Sequence, residues 1–229
     1  MATAKGASTD STTPADPGQV AGTRPRGRPR LEIDRDAVAD AVAELFAEGG
    51  YDAVSIADTA AKLSVSRSTL YRTVPTKEEL LGILFERSTR ELTADARDAI
   101  RRHPDYAGEQ LRALVRIQVD AAVRMRRYLP VFFGGGALPR EVYSRWQLWA
   151  REYESLWHDV VEQAMAEGVV ERADPVVTTR LLLGMCIWVS RWYRPSASTT
   201  PDDIADVALG LLRIGAASEH LDELEPSSS

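Results

Sequence analysis

Several things are scarce in this chain of 229 residues. A single cysteine, Cys186, excludes an internal disulfide framework and any zinc site built on cysteine clusters, so a reducing compartment is expected. The three histidines, His103, His158 and His220, are widely spread, and no G-x-S-x-G or H-E-x-x-H string accompanies them. Cys186 lies within an apolar run, where an inert core thiol is the default. No catalytic constellation is visible, so neither an enzyme nor a cofactor or metal site is expected. Long apolar runs are also missing: the stretch from Val176 to Val189 is too short to span a bilayer and contains Arg180. The first 30 residues are rich in Ala, Ser, Thr, Gly and Pro and lack the apolar segment of a secretory signal; the expected location is the cytoplasm, with no membrane partner. What is present is a globular composition, 44% hydrophobic and 27% charged, sufficient to bury a core.

Net charge is −6 and the sequence pI about 5.2, which as an average argues against a polyanionic partner. The average conceals a segregation. Residues 1–30 carry five bases and two acids, residues 31–82 five and ten, and residues 83–229 eighteen and twenty-two. From Thr59 to Lys77 there is no Asp or Glu, while Lys62, Arg67, Arg72 and Lys77 are all basic. The opening segment has almost no large apolar residue and cannot offset the entropy of folding, which predicts a disordered basic arm over 1–30. A frayed tail is expected over 216–229.

Between these ends apolar residues recur at three- and four-residue spacing, and no stretch alternates as a strand would. The expected fold class is all-α, with about nine helices. The first spans roughly Asp34 to Glu48 and is ended by Gly49 and Gly50. Ser55 opens a second, with Asp58 three residues on as in a capping box, running to about Leu63. Ser66 caps a third that Pro75 stops; Thr76 with Glu79 opens a fourth that extends, with room for a kink, to about His103. Further helices are expected near 106–128, 130–136, 139–167, 175–193 and 201–215, the last two opened by first-turn prolines Pro175 and Pro201. Gly134-Gly135-Gly136 lacks the lysine and strand context of a phosphate loop and reads as a flexible hinge.

Two short helices joined by Leu63-Ser64-Val65, with a third before them, have the proportions of a helix-turn-helix. On the later helix Leu70 is placed to enter the bundle, leaving Arg67, Ser68, Thr69, Tyr71 and Arg72 for a groove and its phosphates. Ser55 and Ser66 set backbone N–H groups at helix N-termini, where a phosphate oxygen is well received. Four bases in nineteen residues also fit an ordinary solvated face, and charge alone does not choose between the two. The residues around them go further. Leu45-Phe46-Ala47-Glu48-Gly49-Gly50-Tyr51, the helix from Ser55 to Ala61, Val65-Ser66-Arg67-Ser68-Thr69-Leu70-Tyr71-Arg72 and Pro75-Thr76-Lys77-Glu78-Glu79-Leu80 resemble the TetR family of bacterial transcriptional regulators. The resemblance implies that Arg67, Ser68 and Thr69 meet the groove and that Tyr71, Thr73 and Lys77 meet mainly phosphates. It also exposes departures: Thr59 stands where Ile is usual, Ser64 for the customary turn Gly, Ser68 for Gly or Ala, Thr73 for Tyr or His, and Val74 for Phe. Ser64 bears on the left-handed conformation of the turn, which Gly adopts without strain.

Upstream, Arg24-Pro25-Arg26-Gly27-Arg28-Pro29-Arg30 resembles the AT-hook core, an extended Arg-Gly-Arg-Pro lying along a narrow minor groove. By composition such a stretch also serves as a linker. Its position just before a helix-turn-helix favours a DNA-embracing arm in which Arg24, Arg26, Arg28 and Arg30 make the contacts.

All five tryptophans fall in the second half: Trp146, Trp149 and Trp157, with Tyr153, on one helix, and Trp188 and Trp192 on another. The first set forms one helical stripe, a pattern shared by packed cores, subunit interfaces and cavities. By the family resemblance the helices at 175–193 and 201–215 build a four-helix homodimer interface, matching paired half-sites in double-stranded operator DNA. The same resemblance places a ligand cavity among the middle helices, with Met125, Phe132, Phe133, Trp149, Tyr153, Trp157 and Met185 as candidates and a hydrophobic small molecule as effector. The run from Gly184 to Pro195 resembles a subset that includes lipid- and acyl-thioester-responsive repressors, implying an acyl-CoA or lipid-like effector.

The expected organisation is a basic arm over 1–30, a helix-turn-helix domain over 31–91 with its motif at 54–73, a ligand-binding and dimerisation domain over 92–215, and a tail. The expected function is a one-component DNA-binding regulator, a repressor released from its operator by a small apolar or acyl-type effector. The competing reading is an all-helical ligand-binding or interaction module that does not act on DNA.

Overall fold

The computed structural model describes residues 33–129, 140–195 and 198–212, within which the chain forms eight α-helices and no strand. They are α1 (Arg35–Gly49), α2 (Ile56–Lys62), α3 (Arg67–Thr73), α4 (Lys77–Arg102), α5 (Ala107–Met125), α6 (Arg140–Ala166), α7 (Pro175–Trp192) and α8 (Pro201–Leu211), with a 3-10 turn at Tyr51–Ala53. The helix expected near 130–136, the glycine run within it, the basic arm and the tail lie outside the described residues.

Helices begin where side chains can take up the amides that a first turn leaves unpaired. Asp34, Ser55, Ser66 and Thr76 accept from the backbone N–H groups of Asp36, Asp58, Thr69 and Glu79 respectively. At α2 the capping box is only half made, because the Asp58 carboxylate takes the Ser55 hydroxyl proton, 2.5 Å away, instead of a backbone amide. The full reciprocal box stands at α8, between Thr200 and Asp203. At α7 Asp174 caps Val176 and Val177, and Pro175 sits in the first turn, where its missing N–H costs nothing.

The fourth helix runs as one element of 26 residues, about 39 Å at 1.5 Å per residue. Two cores share it. Its first half gives Leu80, Leu81, Leu84 and Phe85 to a cluster with Val38, Val42 and Phe46 of α1 and Leu70 of α3. Its second half gives Leu92 and Ala96 to a cluster built with α5, α6, α7 and α8 around Trp157. Gly82 lets α6 come close, since a Cβ there would lie 3.1 Å from a methyl of Val142. Charges lock α1 onto α4: Arg87, steadied by Glu91 of its own helix at 2.7 Å, donates to the Asp40 carboxylate at 2.5 Å and to the Asp36 carbonyl at 2.8 Å. Arg90 reaches Asp36 at 2.6 Å and holds its carboxyl below the ordinary carboxylate range. A single exposed pair stabilises little, but several bonds from one planar guanidinium fix the angle between the helices.

Candidate nucleic-acid interface and interhelical cavity

The turn between α2 and α3 is closed by Ser64 N–H to the Ala61 carbonyl at 3.1 Å and Val65 N–H to the Ala60 carbonyl at 3.0 Å. Ser64 has φ 55°, the left-handed region that glycine enters freely. The serine therefore keeps the turn's shape at the cost of local strain. Thr59 is fully buried beneath the turn, and its hydroxyl donates to the Ser55 carbonyl at 2.7 Å, so a polar group at this position is satisfied locally.

Leu70 is fully buried and Val74 nearly so, which grips α3 by one apolar edge. The opposite side carries Arg67, Ser68, Tyr71, Arg72 and Thr73, all exposed, with Tyr71 at 55%, and Thr69 half-buried at the margin. The Ser66 hydroxyl, while capping the helix, lies 2.9 Å from Ser68 Oγ and 2.6 Å from Thr69 Oγ1, so α3 opens on a cluster of hydroxyls. Lys77 stands 3.8 Å above the Tyr51 ring centroid, a cation–π contact that positions the ammonium at the start of α4.

Of the four bases counted on this face, Lys62 does not belong to it. Its Nζ donates to Glu48 and Glu44 of α1 at 2.9 Å each, and these bonds, Glu48 first, raise its pKa above the usual lysine value. Lys62 is a clamp between α1 and α2. The two glutamates lie one turn apart on α1, a pairing that could have been suspected from sequence but not assigned to a partner 14 and 18 residues downstream. Arg67 and Arg72, by contrast, form no ion pair among the described residues. At Ser55 the Asp58 carboxylate already faces the N-terminus of α2. Arg24, Arg26, Arg28 and Arg30 lie outside the described residues.

Between α4, α5, α6 and α7 lies a cavity of about 290 Å³. Met125, Trp149 and Tyr153 line it, joined by Phe85 and Leu92 of α4 and Ile187 of α7. The Trp149 ring stacks on Tyr153 at 5.2 Å and meets Phe85 edge-on at 5.8 Å, while its Nε1 donates to Thr93 at 2.8 Å. The Tyr153 hydroxyl donates to Gln118 Oε1 at 3.0 Å, and burial pushes its pKa upward. The other candidates are placed elsewhere. Trp157 is fully buried in the C-terminal core, and Met185 lines a separate, open apolar hollow of about 770 Å³ on α7 and α8. Phe132 and Phe133 lie outside the described residues. The α4 contribution, Phe85 and Leu92, has the same spacing as any core position, and no sequence signal distinguishes it. Cys186 is fully buried, and burial pushes its thiol up to about 12.

The cavity adjoins the first core. Met125 and Leu129 line it, and between them in sequence Arg127 donates to the Ala47 carbonyl near the end of α1, while Tyr128 sits edge-on to Phe46 at 5.8 Å and 3.1 Å from Ser88 Oγ. Arg145 of α6 pairs with Glu86 of α4. Among the described residues no cluster of His, Cys, Asp or Glu is arranged to hold a metal ion, and no helix is long and apolar enough to cross a membrane.

Two family models match the chain: one for bacterial regulatory proteins of the tetR family over residues 38–82, the other for the tetracyclin repressor-like C-terminal domain over residues 104–216. The HTH-type transcriptional repressor KstR2 of Rhodococcus jostii is 25% identical over 189 residues, spanning 81% of this chain and 92% of that protein. A TetR/AcrR-family transcriptional regulator from Thermobifida fusca superposes with a TM-score of 0.65 at 27% identity, covering 79% of this chain and 97% of that one. AibR, solved in complex with isovaleryl coenzyme A and operator DNA, shares the fold, with a TM-score of 0.65 at 24% identity over 78% of this chain and 97% of that chain. With one model on the helix-turn-helix and the other on the C-terminal helices, this chain belongs to the TetR family of bacterial regulatory proteins.

Proposed function

We propose that this DNA-binding transcriptional regulator is a homodimeric repressor that a small apolar or acyl-type molecule releases from its operator. The observation that carries the reading is the outer side of α3, where Arg67 and Arg72 have no ion-pair partner among the described residues while Leu70 and Val74 hold the helix from beneath. Arg67, Ser68 and Thr69 meet base edges in the major groove. Tyr71, Arg72, Thr73 and Lys77 meet flanking phosphates, helped by the amides at Ser66 and not by those at Ser55, where Asp58 stands, and Arg24, Arg26, Arg28 and Arg30 follow the minor groove.

Dimerisation uses α7 and α8. Leu181, Trp188, Val207 and Leu211 are each more than half exposed, and Trp192 nearly so; apolar groups of this size left in water favour a twofold, self-complementary contact. The effector occupies the cavity at Met125, Trp149 and Tyr153. A molecule entering there bears on Met125 and Leu129, and through Tyr128 and Arg127 on Phe46 and Ala47 of α1, which ties occupancy to the spacing of the two reading heads. A relative named as a transcriptional repressor and a fold neighbour solved with an acyl-CoA and operator DNA support the sign of regulation and the effector class. The protein works beside the chromosome in the cytoplasm and catalyses no reaction.

The test is a gel shift with promoter DNA flanking its own gene, at two salt concentrations, for the wild type, Arg67→Ala and Tyr71→Ala. Both variants lose retardation that the wild type shows. A wild type that retards no promoter fragment overturns the reading.

A further inference from the structure

The cavity continues past its apolar wall. Along the seam between α6 and α7 the lining changes character: Tyr153 faces Leu183 in the inner slot, then Glu154 meets Arg180, Oε1 to Nε at 2.7 Å. Beyond this ion pair opens a cleft of about 370 Å³ whose walls carry the polar side chains of Arg151, His158 and Thr179 alongside Val176. Glu154 and Arg180 line both spaces, so a single exposed pair separates the apolar slot from this cleft.

Three features mark the two spaces as incomplete. Thr179 is fully buried and lines the cleft, yet its hydroxyl has no hydrogen-bond partner among the described residues; such a group is costly unless something meets it. The cleft sets two guanidinium groups, Arg151 and Arg180, against one carboxylate, Glu154; the exposed Asp159 is not among its lining residues and lies 3.5 Å from His158 Nδ1. In the slot, Gln118 is 5% exposed; its oxygen takes the Tyr153 hydroxyl, and its amide nitrogen has no partner among the described residues.

We propose that the effector has two ends: an apolar end with a carbonyl-type acceptor, seated in the slot against Gln118, and an anionic head in the cleft, bound by Arg180 and Thr179. This rests on the reading of the slot as the effector site. The slot's volume corresponds to roughly ten water-sized volumes, enough for a short chain or a ring. Arg180 also edges the open hollow on α7 and α8; in the single chain its side chain is 67% exposed, and a pair so open to water contributes little, so the guanidinium can turn from Glu154 to an incoming anion. A carboxylate or phosphate offers it the same two-point geometry. Two carboxylate-type groups, Glu154 and the ligand head, then face two arginines, and the Thr179 hydroxyl gains an acceptor. Bound in this way, the head of the ligand selects for charge while the slot selects for shape.

Trp149 and Trp146 line the slot, so tryptophan fluorescence reports occupancy. Three probes with the same eight-carbon acyl chain separate the terms: methyl octanoate, N-octanoylglycine, which carries a carboxylate beyond its amide carbonyl, and octanoyl-coenzyme A. The wild type is expected to bind the better of the two anions at least about tenfold tighter than the neutral ester, and which one it prefers distinguishes a carboxylate head from a phosphate-bearing one. Arg180→Ala erases this preference while leaving the ester unchanged, and Thr179→Val weakens only the two anionic probes. Equal affinity of the wild type for all three, or an Arg180→Ala variant weakened equally toward all three, overturns the two-ended site. Failure of all three to bind overturns both this inference and the effector assignment. Preferential binding of an anion without any change in DNA retardation leaves the two-ended site standing and overturns its role as the effector site.

Discussion

The reading head and the C-terminal helices are made of the same material, amphipathic helices with charged outer sides, yet each leaves something different unfinished. In the head the apolar packing is complete around Leu70, Phe46 and Leu80, and what remains open is charge, on Arg67 and Arg72. In the C-terminal helices what sets them apart is open volume, the slot beside Trp149 and Tyr153. A solvated unpaired guanidinium costs little and waits for a phosphate. An apolar hole forgoes the contacts that would fill it and waits for a ligand. On the proposed reading, function in this chain lies where pairing or packing stops rather than where a residue type is unusual. Lys62 and Trp157 make the point: one is basic within the basic segment but serves as a clamp, the other is aromatic within the aromatic stripe but serves as core.

Leu70 is where stability and DNA binding should fail together. Leu70→Ala should cost about 2–5 kcal/mol in denaturant unfolding and abolish DNA binding with it, because the exposed side of α3 depends on the buried one. A loss too small to measure would show that α3 is not held by this edge. Arg67→Ala should do the opposite, removing about 1–3 kcal/mol of operator affinity and leaving the unfolding midpoint where it was. An equal effect on stability would erase the distinction between open charge and closed packing. Ser64→Gly should raise stability by up to about 1 kcal/mol, as relief of a positive φ outweighs the added freedom of the unfolded chain. The clamp and the free base separate by salt: Arg72→Ala should flatten the salt dependence of DNA binding by about one unit, and Lys62→Ala should leave that slope unchanged. The smallest effect belongs to Cys186, whose thiol, pushed up to about 12, stays protonated at pH 8 and resists iodoacetamide until the protein unfolds. Because the unfolded chain gives up this proton near pH 8.5 to 9 and the native one does not, the raised pKa should lower stability only as pH climbs above that range. Rapid labelling of the native protein would place Cys186 outside the core.

Much of the head was legible in order. The N-caps Ser55, Ser66 and Thr76, the buried Leu70 and the free polar side of α3 follow from local spacing, because a helix brings together residues three and four apart. Ser64 was legible as a departure, but whether the turn would keep its left-handed residue depended on the packing of α2 against α3. The C-terminal site was legible only in part. Met125, Trp149 and Tyr153 do meet at a cavity, whereas Trp157 and Met185 share the same helical periodicity and point into a core and toward an open surface.

The all-helical class, the helix-turn-helix and the exposed Arg67 and Arg72 follow from local spacing, since these depend on contacts within a turn or two of the chain. Tertiary structure alone decided that Lys62 is spent on α1, that the slot includes Phe85 and Leu92, and that Arg180 stands between the apolar slot and the cleft beside it. The physical reason is common to all three. Each depends on which face of one helix meets which face of another, and helices far apart in sequence settle that question only by packing together.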